Sequence, residues 1–191
     1  MNIHFKRLAN IITVTRMIAS GIMLFFPDWS FEFFCFYTYC GISDMLDGFI
    51  ARKSGGGSAK GALLDSAADV VFIAAAGIKL LPGIIEAVPW TVTGIIIVAA
   101  IKISGYGVGA VRFKRFISFH TALNKAAGAA LFFLPYLAPF MDLGILCLIA
   151  CAISVLAAIE EFLITIFASS YEPDTKTICQ PQKYNGHNLH K

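Results

Sequence analysis

The chain has 191 residues, of which 58% are hydrophobic and only 14% charged, with a mean hydropathy of +0.74. Soluble domains carry roughly a quarter charged residues, so this composition excludes an ordinary soluble domain and points to a chain built for a membrane. A net charge of +3 is too small to argue for nucleic acid, and none is expected as a partner.

Residues 1–8 are short and basic, with Lys6 and Arg7, and suit the membrane surface. The apolar run over 9–26 is the first expected span. Arg16 interrupts it and no convincing small-residue cleavage site follows, so it reads as a retained helix rather than a signal peptide. Pro27 and Asp28 end it. Further spans are expected over 29–53, 60–82, 89–111, 123–140 and 143–168, each near the length needed to cross about 30 Å of hydrocarbon. The expected fold is therefore all-α, a polytopic membrane protein with six transmembrane helices over 1–168, followed by a polar tail over 169–191 with no apolar periodicity. Of the cysteines Cys35, Cys40, Cys147, Cys151 and Cys179, four lie in apolar runs, where cysteine behaves as a small hydrophobe.

The cations orient these spans. Lys6, Arg7, Arg52, Lys53, Lys60, Arg112, Lys114, Arg115, Lys125 and the tail lysines fall on one set of termini and loops, whereas 27–31, 83–88 and 139–142 contain no lysine or arginine. By the positive-inside rule both termini, and the tail, are cytoplasmic.

One stretch stands apart from this apolar background: Asp44 to Asp69, DMLDGFIARKSGGGSAKGALLDSAAD. Asp44 and Asp47 are three residues apart and Asp65 and Asp69 four apart, so on helices each pair shares a face. The intervening SGGGSA reads as a flexible connection, which lets the two helices return antiparallel and bring the acids together. Four acids so placed need a counter-charge, and hard divalent cations bound by oxygen are the natural one. A set of interfacial caps or partners for Arg52 and Lys60 is the plainer reading. A small cation transporter is a further alternative, although transporter sites tend to lie near the bilayer midplane and these acids cluster at one end of their spans.

In order, the stretch is Asp44-x2-Asp47-Gly48-x2-Ala51-Arg52-x8-Gly61-x3-Asp65-x3-Asp69. This resembles the complete signature of the CDP-alcohol phosphatidyltransferases, integral-membrane enzymes that make phospholipids from CDP-linked lipids. Upstream, Asn10-Ile-Ile-Thr13-Val-Thr-Arg16 is similar to the Pro-Asn-x-Leu-Thr-x-x-Arg opening of many members, with Ala9 in place of proline. The resemblance implies transfer of the phosphatidyl group of CDP-diacylglycerol to a polar alcohol acceptor, with release of CMP. It implies that Asp44, Asp47, Asp65 and Asp69 ligate a pair of ions, Mg2+ or Mn2+, and that Asp69 is also the general base. Asp44, Gly48, Ala51, Arg52 and Gly61 would hold the CDP moiety. It further implies a homodimer among membrane lipids, and the chain is expected in a bacterial cell membrane with the active site facing the cytoplasm. A catalytically silent membrane scaffold would carry the same signature.

The acceptor is read from a second basic group. Arg112, Lys114 and Arg115 follow the fourth span, and Lys102 shares a helix face with Arg112. With Arg16, buried towards the same membrane side, they suggest an anion pocket, of which Arg112, Arg115 and Lys102 are the candidate acceptor-binding residues. Glycerol 3-phosphate is the expected acceptor, with inositol phosphate, inositol and serine as alternatives. His120, Asn124 and Lys125 open the fifth helix and suit either acceptor hydroxyls or a helix cap. Glu160 and Glu161 read as interfacial, and Lys79 as a snorkelling residue. Gly105-Tyr-Gly107-Val-Gly109 lacks the preceding strand of a dinucleotide loop and reads as a close-packing stripe.

Overall fold

The computed structural model describes residues 3–53, 59–113 and 121–167. They form six helices: α1 (Ile3–Met23), α2 (Phe31–Lys53), α3 (Ala59–Ala87), α4 (Thr91–Phe113), α5 (Ala122–Leu137) and α6 (Leu143–Phe167). No strand occurs among the described residues. Three helical stretches are long and apolar enough to cross a membrane unaided: Leu63–Ala87, Thr91–Arg112 and Leu143–Phe167, with Asn10–Met23 a shorter apolar helix. The six expected spans thus correspond to six helices of unequal apolarity. α2 carries five charged residues, and α5 has only 16 residues.

Element ends differ from expectation in ways that local chemistry explains. α1 stops at Met23, after which Leu24, Phe25 and Phe26 donate to the carbonyls three residues back, a tightened last turn. α3 does not stop at Pro82 but continues through it to Ala87. Proline removes one backbone donor there, a loss that apolar membrane helices tolerate. α5 likewise contains Pro135 and ends three residues early, at Leu137.

The chain divides into two compact units, Met1–Glu86 and Ala87–Lys191. In the first, α1 packs along α2. The α1 face is Thr13, Arg16, Ala19, Ser20 and Met23, at helical spacing, and the α2 face is Phe33, Tyr37, Cys40 and Ser43; all nine are buried. Small residues at 19, 20 and 40 permit close approach, so that Ser20 Oγ lies 3.4 Å from Cys40 Sγ. Between the helices Trp29 takes a left-handed conformation (φ 64°), an uncommon one for a bulky side chain. Ser30 then starts α2, its hydroxyl accepting from Phe33 N at 3.1 Å. α3 joins this pair through the Tyr37–Phe72 ring contact, and through an ion pair between Lys79 and Asp28. Lys79 is therefore partnered, not merely snorkelling.

In the second unit α6 is central, with α4 and α5 packed on it. Its buried stripe of Leu146, Cys147, Ala150, Ala157, Ala158, Glu161, Ile164 and Thr165 is mostly small or apolar. On α4, Gly94 faces Cys151 so closely that an added Cβ would lie 2.8 Å from the Cys151 sulfur. Thr121 caps α5, accepting from Asn124 N at 3.1 Å, and Asp142 caps α6, accepting from Ile145 N at 3.0 Å.

Candidate functional site

The acids converge in the first unit. Asp44 sits on α2, and Asp65 and Asp69 sit one turn apart on α3. One carboxylate oxygen from each lies within 4.8 Å of the others. Their side chains are 50%, 43% and 44% exposed, so they remain open to a ligand. Asp47, Gly48, Ala51 and Arg52 follow on the last turns of α2, and Gly61 stands in the first turn of α3; the side chains of 47–53 lie outside the described residues.

Among the described residues the counter-charge is Arg16, whose side chain is 0% exposed. Its Nη1 donates to Asp44 Oδ1 at 2.5 Å, its Nη2 donates to Asp65 Oδ1 at 2.6 Å, and the same nitrogen lies 3.2 Å from Asp69 Oδ1. From the sequence Arg16 is expected in an anion pocket with the basic cluster. The structure instead sets it among the acids, joining carboxylates from two helices with a planar fork suited to that geometry. The available signal was its cost: an arginine inside an apolar helix needs a partner, and the acids of the 44–69 stretch were candidates for it.

The donor set fits a divalent cation. Oxygens held at about 2.0–2.6 Å from one ion stand no more than about 5 Å apart, and the three carboxylates already meet that limit. All the donors are hard carboxylate oxygens, the type preferred by Mg2+ and Mn2+.

The second unit has its own polar cluster. Lys102 Nζ on α4 donates to Glu161 Oε2 on α6 at 2.8 Å and to Asn124 Oδ1 on α5 at 3.3 Å, while Asn124 Nδ2 donates to the same Glu161 oxygen at 3.0 Å. Glu161 is only 7% exposed and Lys102 30%. Glu161, expected to be interfacial, is buried within the protein and pairs with Lys102 of α4. Its place on the α6 stripe, three and four residues from Ala158 and Ala157, was the sequence signal for this. Arg112 donates to the Thr165 carbonyl at 3.2 Å. Lys114, Arg115 and His120 lie outside the described residues.

The chain belongs to the CDP-alcohol phosphatidyltransferase family, whose sequence model matches residues 6–167. Similar proteins include a cardiolipin synthase (CMP-forming)/mitochondrial hydrolase fusion protein of Schizosaccharomyces pombe, 34% identical over 47% of this chain and 15% of its own length. Another is the chloroplastic CDP-diacylglycerol–glycerol-3-phosphate 3-phosphatidyltransferase 1 of Oryza sativa subsp. japonica, 34% identical over 40% of this chain and 24% of its own length. The chain therefore spans less than a quarter of the length of either relative. No solved structure matches it. Family and apolar helices together point to an integral membrane protein. Both relatives are eukaryotic, so the expectation of a bacterial membrane gains no support.

Proposed function

We propose that this protein moves the phosphatidyl group of CDP-diacylglycerol to an alcohol acceptor and releases CMP, with glycerol 3-phosphate as the acceptor. The observation that carries this reading is the convergence of Asp44, Asp65 and Asp69, from two helices, within 4.8 Å. Asp47 completes the ligand set. Two ions, Mg2+ or Mn2+, held there would neutralise the diphosphate and align it with the attacking oxygen. Asp69 takes the acceptor's hydroxyl proton as that oxygen bonds to the lipid-side phosphorus. The bond from this phosphorus to the bridging oxygen breaks, and CMP leaves with the electron pair. Gly48, Ala51 and Gly61 leave room for the cytidine, and Arg52 holds a phosphate or the cytosine edge.

The acceptor's phosphate is assigned to Arg112, Arg115 and Lys102. Arg112, exposed at the end of α4, suits this role better than Lys102, whose charge Glu161 already offsets. In the same reading the chain crosses the membrane six times, with both termini and the acid cluster on the cytoplasmic side. Residues 1–168 form the catalytic membrane domain, 169–191 a cytoplasmic tail, and two copies a homodimer. A second reading, cardiolipin formation with a lipid alcohol as acceptor, is favoured by the name of the fission-yeast relative.

The test is CMP release by purified protein given CDP-diacylglycerol and Mg2+, with glycerol 3-phosphate, inositol phosphate, inositol, serine or phosphatidylglycerol. Release with glycerol 3-phosphate is expected, abolished by EDTA and lowered by about a hundred- to ten-thousandfold in Asp69→Asn. Release with phosphatidylglycerol alone selects the second reading. Release only with serine or inositol would overturn the phosphorylated acceptor, and no metal-dependent release with any acceptor would overturn the reaction itself.

A further inference from the structure

The guanidinium among the acids keeps its charge at any pH near neutrality. Arg16 is fully buried, and its own carbonyl accepts from Ser20 Oγ at 2.9 Å and from Cys40 Sγ at 3.7 Å. Ala19, Ser20 and Cys40 around it are themselves buried at the α1–α2 interface. Its guanidinium is fully buried and shared among Asp44, Asp65 and Asp69, so its charge is a constant part of the site.

That fixed charge limits how many ions the acids can hold. Among the described side chains, three carboxylates, Asp44, Asp65 and Asp69, face one guanidinium, which leaves two net negative charges. One divalent ion cancels them. Another divalent ion then meets a neutralised cluster, and like charges a few ångströms apart repel strongly in a partly desolvated site.

We propose that Arg16 makes filling of the site sequential: one divalent cation binds the protein alone, and the other binds only together with the diphosphate of the CDP-lipid. Arg16 acts here as a positioning residue and a counter-charge, touching the candidate ligands and not the reacting atoms. The proposal rests on the two-ion reading given above. Its consequence is that the fully charged, reaction-competent site assembles only around substrate.

The test counts Mn2+ bound per chain by electron paramagnetic resonance on purified protein, with and without CDP-diacylglycerol, in the wild type, Arg16→Met and Arg16→Lys. The wild type is expected to bind one Mn2+ without lipid, with affinity for a second rising about tenfold or more when the lipid is added, the scale of one unit charge at this range. Arg16→Met is expected to bind two without lipid. Arg16→Lys, which keeps the charge but not the fork, retains the wild-type dependence on lipid. Two ions on lipid-free wild type overturn the proposal, and this arm stands even if Arg16→Met does not fold. Lipid dependence persisting in folded Arg16→Met also overturns it. Absence of any Mn2+ binding to the wild type overturns the metal reading and the proposal with it.

Discussion

Lys102 and Glu161 show what an ionisable residue inside an apolar helix requires. Each charge alone would be expensive at that depth. Together, and tied by Asn124 from a third helix, they offset one another while fixing three helices in one register. Removing one partner strands the other, which is far costlier than removing both. Glu161→Ala is therefore expected to lower stability by about 3 kcal/mol, at the low end for a buried pair because Lys102 is 30% exposed. Lys102→Met combined with Glu161→Leu is expected to recover most of that loss. Thermal unfolding of the single and double variants in detergent measures it, and strictly additive effects would contradict the pairing. The convergence of Asp44, Asp65 and Asp69 was legible because only a short glycine- and serine-rich stretch separates their helices in sequence. The partners of Arg16 and Lys102 were not, since 28 and 59 residues separate Arg16 from Asp44 and Lys102 from Glu161, and no periodicity within one helix reports such pairings.

Helix contacts in the second unit depend on small residues placed at the crossing. Gly94 on α4 leaves room for Cys151 on α6, whereas Gly105 has Phe162 at an ordinary 3.5 Å from where a Cβ would sit. Two substitutions of the same kind should then part company. Gly94→Ala is expected to cost about 1 kcal/mol, as a mild overpacking that the Cys151 sulfur partly relieves by rotating, and Cys151→Ala should rescue it. Gly105→Ala should be neutral or slightly stabilising, since alanine is the better helix former. Unfolding midpoints of the four variants decide this, and equal losses at 94 and 105 would refute the close approach. At this scale the existence of six helices was legible from hydropathy, and their ends were less so. Pro82 looked like a stop because proline usually is one. Its helix continues because the residues beyond it, Gly83 to Ala87, are apolar apart from Glu86 and still belong to the same span.

At the scale of the whole chain, charge and apolarity alternate along the sequence. The asymmetry of lysine and arginine between its connections predicts which ends share a membrane side, independently of the acid signature. Reporter fusions test this directly: a phosphatase placed at 88–90, between α3 and α4, is expected to be active outside the cell membrane of a bacterial host, and one at the carboxyl end inactive. The reverse pattern would invert the proposed orientation and put the acids on the far side from a cytosolic nucleotide pool.

Within the first unit, α3 is tied to its neighbours at two levels, by Asp65 and Asp69 to Arg16 and by Lys79 to Asp28. Ten to fourteen residues separate these ties, roughly 15–21 Å at the rise of an α-helix, or about half the hydrocarbon depth. A helix fastened at two heights cannot slide along its partners when the surrounding lipid is thicker or thinner than its apolar length. The mismatch falls on tilt of the unit as a body, and the acids keep their mutual spacing. Transfer activity should accordingly vary little between short- and long-chain lipid bilayers, and Asp28→Ala, by releasing the lower tie, should make it sensitive to bilayer thickness.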